Sequence, residues 1–325
     1  MRLPYRRLFL KSISLGLAAI SFLAGASAAC AQQIPDLDFA PAIASPAYEE
    51  GKGPRVLVDA AHHNFHTADE RYHPFAKLLR RDGYRVEGNT KPFTAESLKG
   101  VDVLVIANAL SERNLRDWSL PTPSAFTQEE VAAVKKWVED GGSLFLIVDH
   151  MPFPGCMGEL AKAFGAEFSN GYANAGHWKQ GAPQIFDKEH GLKECAVTKG
   201  RNDAEKVTLV QTFGGSAFKL PKGATPVLLF GEGSISSETT KAPGITPDAK
   251  KVDIHGWSQG ALLTHGKGRV AIFGEAAMFS AQLAGPQKRP MGMNAPTAKQ
   301  NPQLLLNVLH WLTRAEGMPG DETPK

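Results

Sequence analysis

The sequence predicts an α/β fold built on a doubly wound, mostly parallel β-sheet. Apolar runs at residues 55–59, 101–107 and 143–148 show almost no alternation with polar residues, which is typical of parallel strands buried on both faces. Segments with helical spacing lie between these runs, and Thr127 and Glu130 form a capping-box signature at the start of one of them. This alternation of strand and helix predicts parallel strands joined by helical crossovers.

The first half of the chain supplies most of the predicted sheet. Pro74 is favoured in a first helical turn, and Gly83 ends the helix that follows it. The predicted elements are, in order, strand 55–59, a helix from Pro74, strands 84–86 and 101–107, a helix after Thr127, strand 143–148 and a helix over 157–164.

The second half is less regular. Residues 168–191 and 211–222 are rich in Gly, Asn and Ser, which predicts long loops over the carboxyl ends of the strands, and 234–252 is expected to be a mobile insertion. The remaining predicted elements are strand 226–230, a hairpin of strands 261–264 and 269–273, and a final helix from Asn301. A single domain is therefore expected over 54–314, with a linker over 32–53 and a disordered tail over 315–325.

The first 31 residues predict an export signal of the twin-arginine type. Residues 5–11 read Y-R-R-L-F-L-K, and a Gly- and Ala-rich apolar stretch and small residues suited to cleavage follow. The protein is therefore expected to be periplasmic or secreted, with an ordinary secretory signal and a lipid anchor at Cys30 as the alternatives. No later apolar run has the length of a membrane span, so none is predicted for the mature chain.

Charge argues against nucleic-acid binding. The chain has 36 basic and 33 acidic residues, and four of the basic ones lie in the first 31 residues, which contain no acid. The remaining 32 basic residues do not form the basic field that nucleic acids require. The sequence also lacks a P-loop and a strand-linked G-x-G-x-x-G, which argues against nucleotide binding.

Two cysteines, Cys156 and Cys195, lie within the predicted domain. In an oxidising compartment they could form a disulfide that closes a loop of about forty residues. Two separately buried thiols are the alternative interpretation.

Polar side chains follow the predicted first and fourth strands. Asp59 is followed by histidines and an asparagine, and Asp149 and His150 follow the fourth strand. In open α/β sheets, ligands bind beyond the carboxyl ends of the strands. If the strand order is 2-1-3-4, both clusters would meet over the end of the third strand, at Asn108.

Three sets of site residues are predicted from this placement. The catalytic set is His63, His66, Asp149, His150 and Glu275. The ligand-binding set is Asn64, Asn108, Ser169, Asn170 and Asn294. The metal set is Asp59, His62, His66 and Asp149, which suits Zn²⁺ or Mn²⁺. The alternative is that Asp59 caps a loop and the histidines are bonded locally.

One further motif is not expected to be functional. Residues 256–260 fit G-x-S-x-G, but a strand is predicted to follow Ser258, whereas the nucleophile elbow requires a helix there.

The succession of V-L-V-D, V-D-V-L-V-I-A-N, F-T-Q-E-E-V-A-A-V-K-K-W-V-E-D-G-G-S-L-F-L-I and G-K-G-R-V-A-I-F-G-E resembles the class I glutamine amidotransferase-like superfamily. Within it, the chain is similar to an uncharacterised bacterial group of domains related to gliding-motility ABC-transport auxiliaries, and also to trehalose-utilisation-like proteins. The resemblance covers roughly residues 54–314 and implies a flavodoxin-like sheet.

Glutamine hydrolysis is not expected, because the chain departs from the superfamily at the nucleophile. The resemblance would place a Cys in a G-x-C-x-G turn after a central strand, with a His-Glu pair downstream. The turn after the fourth predicted strand instead holds Asp149 and His150, and Cys156 is expected to be structural.

These patterns predict an exported protein with a polar His/Asp site. One expected function is a hydrolase for a cell-envelope or carbohydrate-like substrate, with the His/Asp set or a divalent metal activating water. The other is a non-catalytic module that binds a small polar or carbohydrate-like ligand in an envelope or transport complex. The predicted fold alone does not separate these two functions.

Overall fold

The computed structural model describes residues 33–320. The predicted signal segment with its alternatives, and residues 321–325 of the predicted tail, lie outside the described residues. In the described part of the chain, no helix combines the length and the apolar content that a membrane crossing requires.

Five α-helices and a large set of strands make up the described residues. Within residues 33–320 the helices are α1 His73–Arg81, α2 Gln128–Glu139, α3 Phe153–Ala163, α4 Ala196–Lys199 and α5 Asn301–Leu312. In the same range the strands are, in chain order, β1 Gln33–Pro35, β2 Arg55–Asp59, β3 Arg85–Asn89, β4 Val103–Ala107, β5 Ser143–Ile147, β6 Glu167–Phe168, β7 Tyr172–Asn174, β8 Gln184–Asp187, β9 Leu209–Thr212, β10 Phe218–Lys219, β11 Thr225–Leu229, β12 Ile235–Glu238, β13 Lys250–Asp253, β14 Ser258–His265, β15 Gly268–Phe273, β16 Ala281–Ala284 and β17 Arg289–Gly292.

A nine-stranded mixed sheet forms the centre of the fold. Its order is β3-β2-β4-β5-β15-β14-β10-β6, with β11 also paired to β14. The five strands from β3 to β15 are parallel, and the strands beyond β15 pair antiparallel. The first four strands have the order assumed from the sequence, so the carboxyl ends of β2 and β5 flank the end of β4.

Helices cover both faces of this sheet, which explains why its strands are apolar throughout. Successive residues of one strand belong to different cores: Val56 lies in the core that includes Phe75 of α1 and residues of α5, whereas Leu57 lies in the core that includes Val134 of α2 and residues of α3. A strand buried on both faces has no polar side to place in solvent. The apolar runs predicted from the sequence are therefore confirmed as parallel strands.

The start of α2 confirms the predicted capping box. Thr127 Oγ1 accepts a hydrogen bond from the Glu130 backbone N at 3.2 Å, and a Glu130 carboxylate oxygen accepts one from the Thr127 N at 3.0 Å. These bonds satisfy two amides that would otherwise lack partners at the first helical turn.

Three segments are more ordered than the sequence suggests, and the first is the expected long loop over 168–191, which contains β7 and β8. The expected mobile insertion over 234–252 forms β12 and most of β13, which pair antiparallel and join β7 in a three-stranded sheet. The expected linker contributes β1, which pairs with β16, and the Tyr48 ring packs edge-on against Tyr84 at 5.1 Å. The last two segments are ordered because their strands pair with strands that lie far away in the sequence.

Of the two alternatives for Cys156 and Cys195, the structure shows two separately buried residues that are not bonded to each other. Cys156 belongs to the core that α2 and α3 cover, and Cys195 belongs to the core on the other face of the central sheet. A disulfide needs Cα atoms within about 7 Å, and two cores separated by a sheet do not allow this.

Candidate functional site

Asn108, directly after β4, connects the two predicted clusters. Its side-chain oxygen accepts a hydrogen bond from the Asp149 backbone N at 2.9 Å, and its Nδ2 donates to His66 Nδ1 at 3.2 Å. Its φ of 51° lies in the left-handed region, which costs a residue other than glycine about 1–3 kcal/mol. Unfavourable backbone geometry of this kind concentrates at functional sites.

The bonds of Asn108 determine where His66 carries its proton. Because the Asn108 oxygen is occupied by Asp149, its NH₂ group faces His66, and His66 Nδ1 must accept. The His66 proton therefore lies on Nε2, which is buried and has no hydrogen-bond partner among the described residues. Burial, followed by electrostatic interactions with Arg71 and His150, lowers the pKa of His66 to about 3, so the His66 ring stays neutral.

His150 has the opposite tautomer. Its Nδ1 lies 2.8 Å from the Met151 carbonyl oxygen, which can only accept, so Nδ1 carries the proton and Nε2 keeps a lone pair. The His150 side chain is 26% exposed, and its Nε2 lies 4.0 Å from an Asp149 carboxylate oxygen. Tyr172 stacks on the His150 ring at 4.2 Å, and the Trp118 ring lies 6.5 Å away.

The carboxylates of Asp149 and Glu275 are held by backbone amides. Asp149 accepts from the N of His150 at 2.7 Å and from the N of Ala276 at 3.2 Å. Glu275 accepts from the N of Ala277 at 2.8 Å and of Met278 at 2.7 Å, at the start of a short 3-10 turn. Burial and then the Asp149 charge raise the pKa of Glu275 well above its usual range, and the two amides offset part of this.

His62 forms a separate, closed cluster. Its Nδ1 lies 2.8 Å from Asp59 and its Nε2 lies 2.8 Å from Glu130, while the rings of Phe93 and Phe126 pack beside it. Burial by itself lowers the pKa of His62, but the two carboxylates outweigh burial and raise it. A protonated imidazole between two carboxylates has no lone pair for a metal.

The predicted metal set does not assemble. Asp59 and His62 are bonded to each other, and His66 presents a protonated nitrogen, so Asp149 has no partner ligand from this set. Across residues 33–320, no group of three or more His, Cys, Asp or Glu side chains is arranged to hold a metal ion.

The other predicted residues do not join this cluster at the strand ends. His63 is exposed and adopts a φ of 49°. The remaining predicted residues bond as follows: Asn64 to His62 N and Ala107 O, Ser169 to Ser236 and Glu238, Asn170 to Thr122, and Asn294 to Asp36 and Gln282 O. Ser258 is buried in β14, which agrees with its dismissal as a nucleophile.

Sequence reasoning did not assign the aromatic and cationic residues around this cluster. The Arg71 guanidinium lies 3.8 Å from the Phe65 ring centroid, and Phe65 contacts the ring of His66. Phe65 also contacts Trp118, which in turn faces His150. Only Phe65 carried a sequence signal, since it lies inside the predicted histidine cluster.

An open groove of about 560 Å³ lies elsewhere, along β3. Its lining includes Arg55, Glu87 and Lys91 and contains none of the cluster residues at the strand ends. The candidate site is therefore assigned on its chemistry and not on cavity size.

Comparisons with known proteins show similarity at the level of fold. No protein-family model and no curated protein matches the chain. The chain is similar to the N-terminal domain of mmIFT52, with 17% identity, a TM-score of 0.56, and coverage of 79% of this chain and 97% of that chain.

Two further solved structures have TM-scores below 0.5. A ThuA-like protein from Bacteroides uniformis has 17% identity, a TM-score of 0.44 and coverage of 84% of this chain and 94% of that chain. A GMP synthase-type protein from Thermoplasma acidophilum has 12% identity, a TM-score of 0.40 and coverage of 78% and 91%. The predicted link to gliding-motility proteins has no support in these comparisons. The structure shows a mixed α/β domain with a large, mostly parallel sheet, and the similarity to the mmIFT52 domain is one of fold alone.

Proposed function

We propose that the protein is an exported hydrolase that acts on a cell-envelope or carbohydrate-like substrate, with His150 as its general base. The observation that carries this proposal is the free lone pair of His150 Nε2 on a partly exposed ring at the strand ends. A neutral imidazole with one nitrogen anchored and the other open can take a proton from water.

The proposed reaction is attack by water on the substrate. His150 Nε2 takes the water proton while the water oxygen bonds to the substrate. The bond between the substrate and its leaving group then breaks, and the leaving group takes the proton from Nε2. Asp149, 4.0 Å from Nε2, stabilises the imidazolium formed in between. Tyr172 and Trp118 provide aromatic surfaces beside His150 against which an apolar sugar face can pack.

The proposed hydrolase has a flavodoxin-like fold and is exported from the cytoplasm. The order of the parallel strands and the quoted sequence runs support a flavodoxin-like member of the glutamine amidotransferase-like group without the amidotransferase nucleophile. The Y-R-R-L-F-L-K segment and the small residues before Ala31 support export, with an envelope substrate as its consequence.

The test compares the H150Q variant with a matched control. Purified protein is assayed on chromogenic aryl esters and aryl glycosides, and H150Q is expected to lower kcat by about 10²–10⁴. His255 is an exposed histidine between β13 and β14, and the H255Q variant is expected to retain full activity. An active wild type whose kcat is unchanged in H150Q would remove His150 from the reaction.

The second candidate is a ligand-binding module without catalysis. It is favoured by the internal hydrogen bonds that occupy both nitrogens of His62 and both carboxylate oxygens of Glu275, because these groups are then engaged within the protein and do not act as an acid or a base. Calorimetry with the same glycosides separates the two functions. Saturable binding with no turnover of any substrate would support the module and reject the hydrolase.

A further inference from the structure

Two buried hydrogen-bond donors without partners lie around the Phe65 ring. They are Nε2 of His66 and Nε of Arg71. His66 is 2% exposed, and its ring contacts Phe65 at a centroid distance of 5.4 Å. The Arg71 guanidinium lies 3.8 Å from the centroid of the same ring. A buried donor without an acceptor costs about 1–3 kcal/mol, and each of these two donors beside the same aromatic ring lacks an acceptor that would lower this cost.

The His66 donor cannot be satisfied by a change of tautomer. Asn108 donates to His66 Nδ1, and its own orientation is held by the Asp149 backbone N, so His66 must keep its proton on Nε2. Nε2 therefore requires an acceptor, and a metal cation cannot bind there.

Arg71 carries a half-buried charge that no acid neutralises. Its Nη1 donates to the Phe65 carbonyl oxygen at 3.2 Å, and no carboxylate between residues 33 and 320 forms an ion pair with it. Burial lowers the pKa of Arg71, and the Glu70 charge offsets only part of that effect. A guanidinium is a planar fork whose N–H groups match the two oxygens of a carboxylate.

We propose that Arg71 and His66 form a binding site for a carboxylate group of the ligand. The guanidinium supplies the charge and its Nε–H, and the neutral His66 ring supplies a second N–H without transferring its proton. Acidic sugars and other carboxylate-bearing molecules are the substrate class that this site recognises. The assignment of a substrate, though not the binding of the anion, rests on the proposed function.

The direct test is a titration of the purified protein with sodium acetate, followed by ¹H–¹⁵N NMR of the Arg71 Nε–H and the His66 ring nitrogens. Both signals are expected to shift along one saturable curve. Sodium chloride is the control for ionic strength, and sodium phosphate tests the other common oxyanion. Shifts that do not saturate with acetate overturn the proposal, and saturation with phosphate alone overturns the assignment to a carboxylate.

Variants attribute the binding to these side chains. The R71Q variant removes the charge and is expected to weaken acetate binding at least ~10-fold, whereas R71K keeps the charge without the fork and loses less. Arg113 is exposed and paired with Asp117, and the R113Q variant should bind acetate as the wild type does. Equal affinity in R71Q, R71K and the wild type overturns the proposal, and R71K decides the question if R71Q does not fold.

The H150Q variant separates this inference from the proposed function. If both hold, H150Q loses turnover and keeps acetate binding. If the wild type hydrolyses neutral esters but shows no saturable acetate binding, the carboxylate site is rejected and the hydrolase is retained. Saturable binding in a wild type that hydrolyses nothing rejects the hydrolase and retains the site.

Discussion

At the scale of single residues, the hydrogen bonds of each histidine decide what that histidine can do. His62, His66 and His150 follow strand ends within the same part of the fold, yet each has a different protonation pattern. His62 is enclosed by two carboxylates, His66 is a neutral donor, and His150 has an open lone pair. The residue type alone does not distinguish these three histidines.

The N108D variant tests the tautomer of His66. An aspartate cannot donate to Nδ1, so the His66 proton is expected to move from Nε2 to Nδ1 and bond to the new carboxylate. The added negative charge also raises the pKa of His66 from its present value of about 3. Long-range ¹H–¹⁵N NMR of the ring measures both changes, with N202D on the surface as the control. A wild-type ring protonated on Nδ1 would contradict the assignment.

His62 gives the stability of the protein a defined dependence on pH. Its folded-state pKa is raised above the usual 6.5 by Asp59 and Glu130. Its contribution is therefore complete below pH 6.5 and is lost as the pH rises through the folded pKa. Denaturant unfolding of the wild type and of H62Q at a series of pH values measures this effect. The wild type should lose stability relative to H62Q as the pH rises, and parallel curves would refute the charged His62.

At the scale of elements, the first turn of α2 holds the loop after β2. Glu130 completes the capping box with Thr127, and its other oxygen accepts from His62 Nε2 and from the Phe93 backbone N. A single side chain thus joins a helix start, the loop after β2 and the chain before β4. The capping box was predictable from local spacing, whereas its bond to His62 was not.

The T127A variant measures the value of this helix start. Loss of the side-chain acceptor at the N-cap is expected to lower the free energy of unfolding by about 1 kcal/mol. Thr90 is an exposed threonine on the loop after β3, and T90A serves as the control. Chemical denaturation of both variants gives the difference. Equal stability of T127A and the wild type would show that the cap contributes nothing.

At the scale of the whole molecule, the central sheet separates two cores and keeps Cys156 and Cys195 apart. Digestion of the protein after denaturation without a reductant is therefore expected to give no peptide pair linked through Cys156 and Cys195, and mass spectrometry of the peptides tests this. Denaturation with reductant beforehand is the control. A peptide pair linked through Cys156 and Cys195 would contradict the separation of the two cores.

The sequence by itself determined the parallel strands, the start of α2 and the edge of the sheet that carries the polar residues. Apolar runs such as 101–107 and the Thr127 cap depend on neighbouring residues, so local patterns predict them. It also placed His66, Asn108, Asp149 and His150 at strand ends, where parallel strands gather their loops.

Only the tertiary structure decided which of these side chains keep a polar atom available for a ligand and which have their polar atoms hydrogen-bonded within the protein. Asn108 lies 42 residues from His66, and Glu130 lies 68 residues from His62. Hydrogen bonds across such separations set the tautomer of His66 and the charge of His62. Local sequence patterns do not predict these bonds. The same reason explains why, within residues 33–320, a metal set and a disulfide that suited the sequence do not exist in the fold.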